Sequence, residues 1–196
     1  MVSRSLMYTA VYFHETVRIA QRMLVKAVES SGLDLSDIYL RGDQDLMRMV
    51  RDSGGRPAAI VRRLGTRMLD KKAFAVYSED MTEEKAEVLL EYAGREGASR
   101  LESEVADAAG LDVMDVCAEV TSKSNLQGRM RIGKTDVAIA DDGGRIKSLA
   151  RFSPIARALQ ARDPYGWAVL VSAPPDSRER VRRAAEKVLG MRAGGQ

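Results

Sequence analysis

Along the first third of the chain the apolar positions recur three and four residues apart, the spacing of one face of an α-helix. From Ser3 to Glu29 there is neither Gly nor Pro, and Met7, Val11, His14, Val17, Gln21, Leu24 and Val28 trace such a face. Gly32 stands where a helix would stop. Past the loop at 34–42, Asp43 is placed to cap a second helix with Leu46, Met47 and Val50 turned inward, and Gly54-Gly55 ends it. Pro57 suits the first turn of a third, short helix whose apolar side is Ile60, Val61 and Leu64. The spacing therefore predicts an all-α opening over 1–69, with Val17 and Leu24 buried against the other helices.

The period changes near Lys71. Ala73-Phe74-Ala75-Val76-Tyr77 is a short apolar run bounded by charges, the pattern of a buried strand. Thr82-Glu83-Glu84-Lys85 reads as a helix start, and a second helical stretch follows from Ser99 to Ala109. Val116 to Val120 and Val137 to Ala140 are the next strands, the latter followed by the turn Asp141-Asp142-Gly143-Gly144. Ser153-Pro154 opens a helix through Leu159, Trp167 to Val171 is the clearest strand, and the arginine-rich stretch from Ser177 to Leu189 is the last helix.

This order predicts an α+β fold: an N-terminal helical segment, then a ferredoxin-like βαββαβ layer with a C-terminal helix. Its four strands are expected in one antiparallel sheet with helices on one face. The other face is expected to be open, or covered by a further segment or a second subunit. Two parts follow, 1–69 helical and 70–196 ferredoxin-like.

Composition narrows the class. The 196 residues are 45% hydrophobic and 30% charged, values of an ordinary globular chain, so disorder is excluded. No apolar run has the length of a membrane span and the N-terminus has no signal-peptide core, which points to the cytoplasm and away from membranes. The net charge of +3 is too small to call for nucleic acid as a partner. Cys117 and His14 are the only residues of their types, which excludes a disulfide framework and any metal site built from several His or Cys ligands.

Few residues are left to carry chemistry. A Ser-His-Asp or Cys-His arrangement would have to use His14, which on the helical reading lies on the apolar face and is equally a buried, hydrogen-bonded histidine. Cys117, mid-strand among apolar residues, reads as a structural thiol. Gly54-Gly55 and Gly143-Gly144 lack the pattern of phosphate loops and read as turns, and Asp141-Asp142 reads as a solvated hairpin turn. The opening helix is more informative. Arg4, Tyr8 and Tyr12 are four residues apart and share a stripe. A guanidinium grips phosphate oxygens with a rigid fork and a tyrosine offers a ring face and a hydroxyl, so the stripe suits a phosphorylated, base-bearing ligand, or else it packs as an ordinary helix face.

These residues carry a resemblance. Arg4 through His14 (Arg-Ser-Leu-Met-Tyr-Thr-Ala-Val-Tyr-Phe-His), with Arg18 and Met23-Leu24, resembles the segment just after the catalytic core of HD-superfamily phosphohydrolases, in particular archaeal and bacterial members similar to deoxynucleoside triphosphate triphosphohydrolases. The similarity continues through Asp43-Gln44-Asp45-Leu46, Arg67-Met68-Leu69-Asp70-Lys71-Lys72, Phe152-Ser153-Pro154 and the Trp167 strand.

The resemblance implies the C-terminal portion of a metal-dependent hydrolase of phosphoester or triphosphate bonds. Its divalent metal would be held by His and Asp ligands of an HD core that this chain lacks, so the chain alone is expected to hold no metal, contain no catalytic residue and be inactive in isolation. By position Arg4 matches a substrate-phosphate contact, Tyr8 lies on the same substrate-facing stripe, and Tyr12 matches a residue lining sugar and base. Phe13 stands where a sugar-selecting glutamine occurs in the family. His14 matches a contact to an activating nucleotide between subunits, and Glu15, where Lys is frequent, would repel a phosphate. The expected partners are a nucleotide or other phosphorylated small molecule, the HD core and a second copy in a homo-oligomer. The alternative is a non-catalytic interaction module that dimerises through the ferredoxin-like part. RNA binding on the sheet is a third reading, which the lack of a strand signature for it disfavours.

Overall fold

The computed structural model describes residues 7–12, 14–34, 36, 39–121, 138–140, 143, 145–161 and 166–194. The opening differs from the single long helix that the spacing predicts. A π-type turn at Tyr8–Tyr12 is followed by His14 in extended conformation, φ −67° and ψ 130°, and only then by helix α1, Glu15–Ser30. A residue with that ψ cannot propagate a helix, and the His14 side chain instead caps α1, Nδ1 accepting the Thr16 amide at 3.3 Å. His14 is therefore an exposed cap and not a core residue.

The buried face of α1 is Ile19, Met23, Lys26 and Ala27, while Val17 and Leu24 are half-buried at its margin and Met7 and Val11 are exposed. Helices α2, Asp43–Asp52, and α3, Gly55–Gly65, follow as the pattern indicates, with Gly42 rather than Asp43 in the capping position of α2. Val50, Ile60 and Val61 turn inward. Gly54 and Gly55 both have positive φ, +76° and +59°, which lets α3 start immediately after α2.

Strand β1, Lys71–Tyr77, is followed by helices α4, Glu83–Glu91, and α5, Arg95–Ala109, then by β2, Cys117–Val120. Thr82 caps α4, its hydroxyl accepting the Lys85 amide. After the short strands β3, Ala138–Ala140, and β4, Ile146–Ser148, come α6, Pro154–Ala161, the fully buried strand β5, Trp167–Ala173, and α7, Arg178–Leu189. The main sheet has the order β1-β5-β2, and β5 is antiparallel to both neighbours. Ala75 stands opposite Leu170, and Ala118 opposite Val171. β1 and β2 are consequently parallel, joined through α4 and α5 with β5 inserted between them, which is a split βαβ. The α+β class, the antiparallel pairing and the closing helix are as the sequence indicates.

Two expectations are corrected. The strand at 138–140 is not in the main sheet. It pairs with β4, a strand that the sequence pattern did not indicate, in a separate two-stranded hairpin. β5 takes the place between β1 and β2, and β3 has a partner a few residues away, so pairing locally closes a far shorter loop. Nor is the second face of the sheet open. Phe74, Val76, Ala118, Val120, Val169 and Val171 pack with Leu89, Leu101, Val105, Val181, Ala185 and Leu189 from α4, α5 and α7. Ala75, Tyr77, Cys117, Trp167 and Leu170 pack with Ile19, Met23, Ala27, Val50, Ile60 and Val61 from α1, α2 and α3. Helices of this one chain thus cover both faces. The tail after α7 returns to β1, where the Gly194 amide donates to the Ala75 carbonyl at 2.8 Å.

Candidate functional site

The residues singled out by sequence gather, as far as they are described, at the head of α1. Arg4 and Phe13 lie outside the described residues, as does the side chain of Tyr8. Tyr12 is 49% exposed, with Met7 and Val11 similarly open beside it. The break at His14 sets this turn apart from the axis of α1, so the regular stripe that places residues 4, 8 and 12 along one helix does not extend through His14.

One residue downstream is a cluster that sequence spacing missed. Glu15, in the first turn of α1, accepts from Lys72 Nζ at 3.0 Å and from the Tyr77 hydroxyl at 2.9 Å, and Lys72 also donates to that hydroxyl at 2.6 Å. Burial opposes the Lys72 charge, but its bonds to Tyr77 and Glu15 outweigh this and hold its pKa above the ordinary lysine value. Burial together with the Glu15 contact raises the Tyr77 phenol, so the cluster keeps a neutral hydroxyl between a carboxylate and an ammonium. The Glu15 charge, which in the sequence stands as an unopposed repulsion to phosphate, is compensated by Lys72. Lys72 lies in β1, far along the chain, and no local pattern could reveal the pair.

A second group of charges is buried between α1, α5 and β2. Lys26 Nζ and Arg22 Nη2 each donate to Glu102, both at 2.9 Å, and the Ala118 amide donates to Glu102 Oε1 at 2.8 Å. Lys26 also donates to the carbonyls of Val113 and Val116. Both Glu102 oxygens are engaged, and the group is buried, so it ties elements together and offers no free base. Arg18 with Glu119 and Arg63 with Asp70 make further ion pairs at the edges of the same layer. Cys117 is buried beside this group, and loss of water pushes its thiol up to about 12. That is the environment of a structural cysteine, not a nucleophile.

A divalent metal needs several acidic or imidazole ligands converging on one point. Among the described residues no three His, Cys, Asp or Glu side chains come together in that way, so they do not fit the metal that the resemblance calls for, and no hydrolytic step is derived through it. Among the same residues no helix is long and apolar enough to cross a membrane.

An uncharacterized protein of Methanocaldococcus jannaschii is 25% identical over 186 residues, covering 93% of this chain. The chain spans 38% of the length of that curated relative. Residues 1–196 match, from end to end, the family described as the HD associated region, and the chain belongs to that family.

Proposed function

We propose that this chain is the companion region of an HD-type nucleotide phosphohydrolase and supplies substrate contacts to a reaction centre held by the HD domain. The observation that carries this reading is the match of the entire chain to the HD associated region. The turn at Tyr8–Tyr12 supports it, because it presents Met7, Val11 and Tyr12 to solvent at the end of the molecule where the resemblance puts substrate and core contacts.

In the assembled enzyme a divalent metal would be held by the HD domain and would supply the activation of water there, while this chain contributes contacts to the substrate. Arg4 grips the substrate phosphates through its planar fork, and Tyr8 and Tyr12 line the sugar and base. The apolar side chains of Met7 and Val11 pack against the HD domain and keep water from the pocket. His14 and the Lys72–Glu15 pair stand at the rim, where a second phosphorylated ligand would meet an ammonium as well as a carboxylate.

The test uses a protein in which the HD domain and this region are both present. Arg4→Ala is expected to lower kcat/KM tenfold to a thousandfold, about 1.5 to 4 kcal/mol, with the melting temperature unchanged. Arg4→Lys should recover part of the loss, since an ammonium keeps the charge without the fork. The isolated chain should show no nucleotide hydrolysis with Mn²⁺ or Mg²⁺. Unchanged kcat/KM in Arg4→Ala, or chelator-sensitive turnover by the isolated chain, overturns the proposal.

A further inference from the structure

With both faces of the sheet covered by the chain's own helices, a partner has to meet the molecule elsewhere. Two exposed surfaces carry opposite charge. Residues 145–157, Arg-Ile-Lys-Ser-Leu-Ala-Arg-Phe-Ser-Pro-Ile-Ala-Arg, hold four cations and no acid. They form β4, a short 3₁₀ turn at Leu149–Arg151 and the start of α6. Arg145, Arg151 and Arg157 are exposed, and the Lys147 ammonium lies 5.7 Å from the centre of the Phe152 ring. The apolar side chains of this arm also face water: Ile146 is 76%, Phe152 54% and Ile155 62% exposed.

The opposite sign is found at 79–91, where Glu79, Asp80, Glu83, Glu84, Glu87 and Glu91 stand against the single cation Lys85. All six carboxylates are exposed, four of them on α4.

We propose that the basic arm at 145–157 docks on the acidic surface at 79–91 of a second copy of this chain. Three physical points converge on that occupant. A two-stranded hairpin with three residues per strand is marginal in water without something to pack on. Burying Ile146, Phe152 and Ile155 supplies the driving force, while single exposed ion pairs contribute only about 0–1 kcal/mol and serve to choose the partner and its orientation. A nucleic acid would complement the arm but leave the acidic surface without a role, whereas a second copy uses both. Exchanged reciprocally, arm of each on α4 of the other, the contact closes as a two-fold dimer.

Charge reversal tests this by sedimentation equilibrium on the 196-residue chain. Arg151→Glu with Arg157→Glu, or Glu87→Lys with Glu91→Lys, should each weaken the dimer at least about tenfold. Combining all four substitutions restores opposite signs across the interface and should return the dissociation constant to within about threefold of the original. Raising the salt from about 0.05 to 0.5 M should weaken the unsubstituted dimer. Far-ultraviolet circular dichroism checks that each variant is folded, and the combined variant keeps the test decisive if one pair is damaged. A chain that is monomeric at about 100 µM, or a combined variant as weak as the single reversals, overturns the proposal. So does an arm reversal that abolishes binding to a duplex DNA oligonucleotide while leaving the dimer intact.

Discussion

The thiol of Cys117 lies on the face of the sheet that α1 covers, and removal from water pushes its pKa up to about 12, with Lys26 pulling weakly the other way. In the unfolded chain the same thiol ionises near 9.0. Because the folded value is the higher one, the neutral thiol's contribution to stability is complete below pH 9 and is lost as pH rises towards 12. The urea midpoint should therefore fall over pH 9 to 11 more steeply for this chain than for Cys117→Val, which has nothing to ionise. At pH 8 iodoacetamide should alkylate Cys117 only after unfolding, and rapid labelling of the native chain would refute the buried-thiol reading. The thiol's structural role was legible from its apolar neighbours in sequence. The position of His14 was not. Met7, Val11, His14 and Val17 continue the helical spacing through the break, and histidine is not among the residues that ordinarily mark a helix start.

At the scale of elements, the junction of α4 and α5 is set by Gly97. A Cβ added there would lie under 3.0 Å from the Tyr92 backbone, an approach only glycine allows. Gly→Ala in a helix ordinarily stabilises by up to about 1 kcal/mol, so the sign of the effect is informative. Gly97→Ala is expected to destabilise by about 1 to 3 kcal/mol, measured by thermal or urea denaturation, because backbone must shift to admit it. A stabilised variant would mean that the two helices are not held this close.

The strands at 71–77, 117–120 and 167–173 were legible because each is a short apolar run with charged or turn residues at its ends, and α2, α3 and α7 because their apolar positions keep helical period. β4 was not. Its three residues include Lys147 and Ser148, and only pairing with Ala138–Ala140 makes them a strand. The rotation of α1 has a similar cause: Lys26 replaces an apolar residue on the buried face, and the Glu102 that makes this tolerable lies 76 residues away.

Glu102 matters to the whole molecule because it joins three layers. From α5 it holds Lys26 and Arg22 of α1 and accepts the Ala118 amide of β2. Glu102→Ala leaves buried Lys26, half-buried Arg22 and the Ala118 amide without this acceptor, and should cost about 3–5 kcal/mol. Lys26→Met removes one cation and leaves Arg22 on the carboxylate, so it should cost less. Since α1 and α5 lie on opposite sides of the sheet, near-ultraviolet and far-ultraviolet signals should be lost together in both variants, and separate transitions would show that the layers unfold independently. For the candidate substrate contacts, spacing left two readings open and the resemblance favoured one of them. A phosphate-binding stripe and a packed helix face share one spacing, so the pattern by itself does not separate them.

The central place of β5 also governs the order in which the molecule can come into being. β1 and β2 are made early, yet among the described residues neither pairs with the other, and both find their sheet partner in residues 167–173. During synthesis, therefore, Phe74, Val76, Ala118 and Val120 wait without their central strand until residues 167–173 have left the ribosome. Closure of the sheet has to wait for β5, and until then the nascent chain carries extended apolar segments of the kind that chaperones shield.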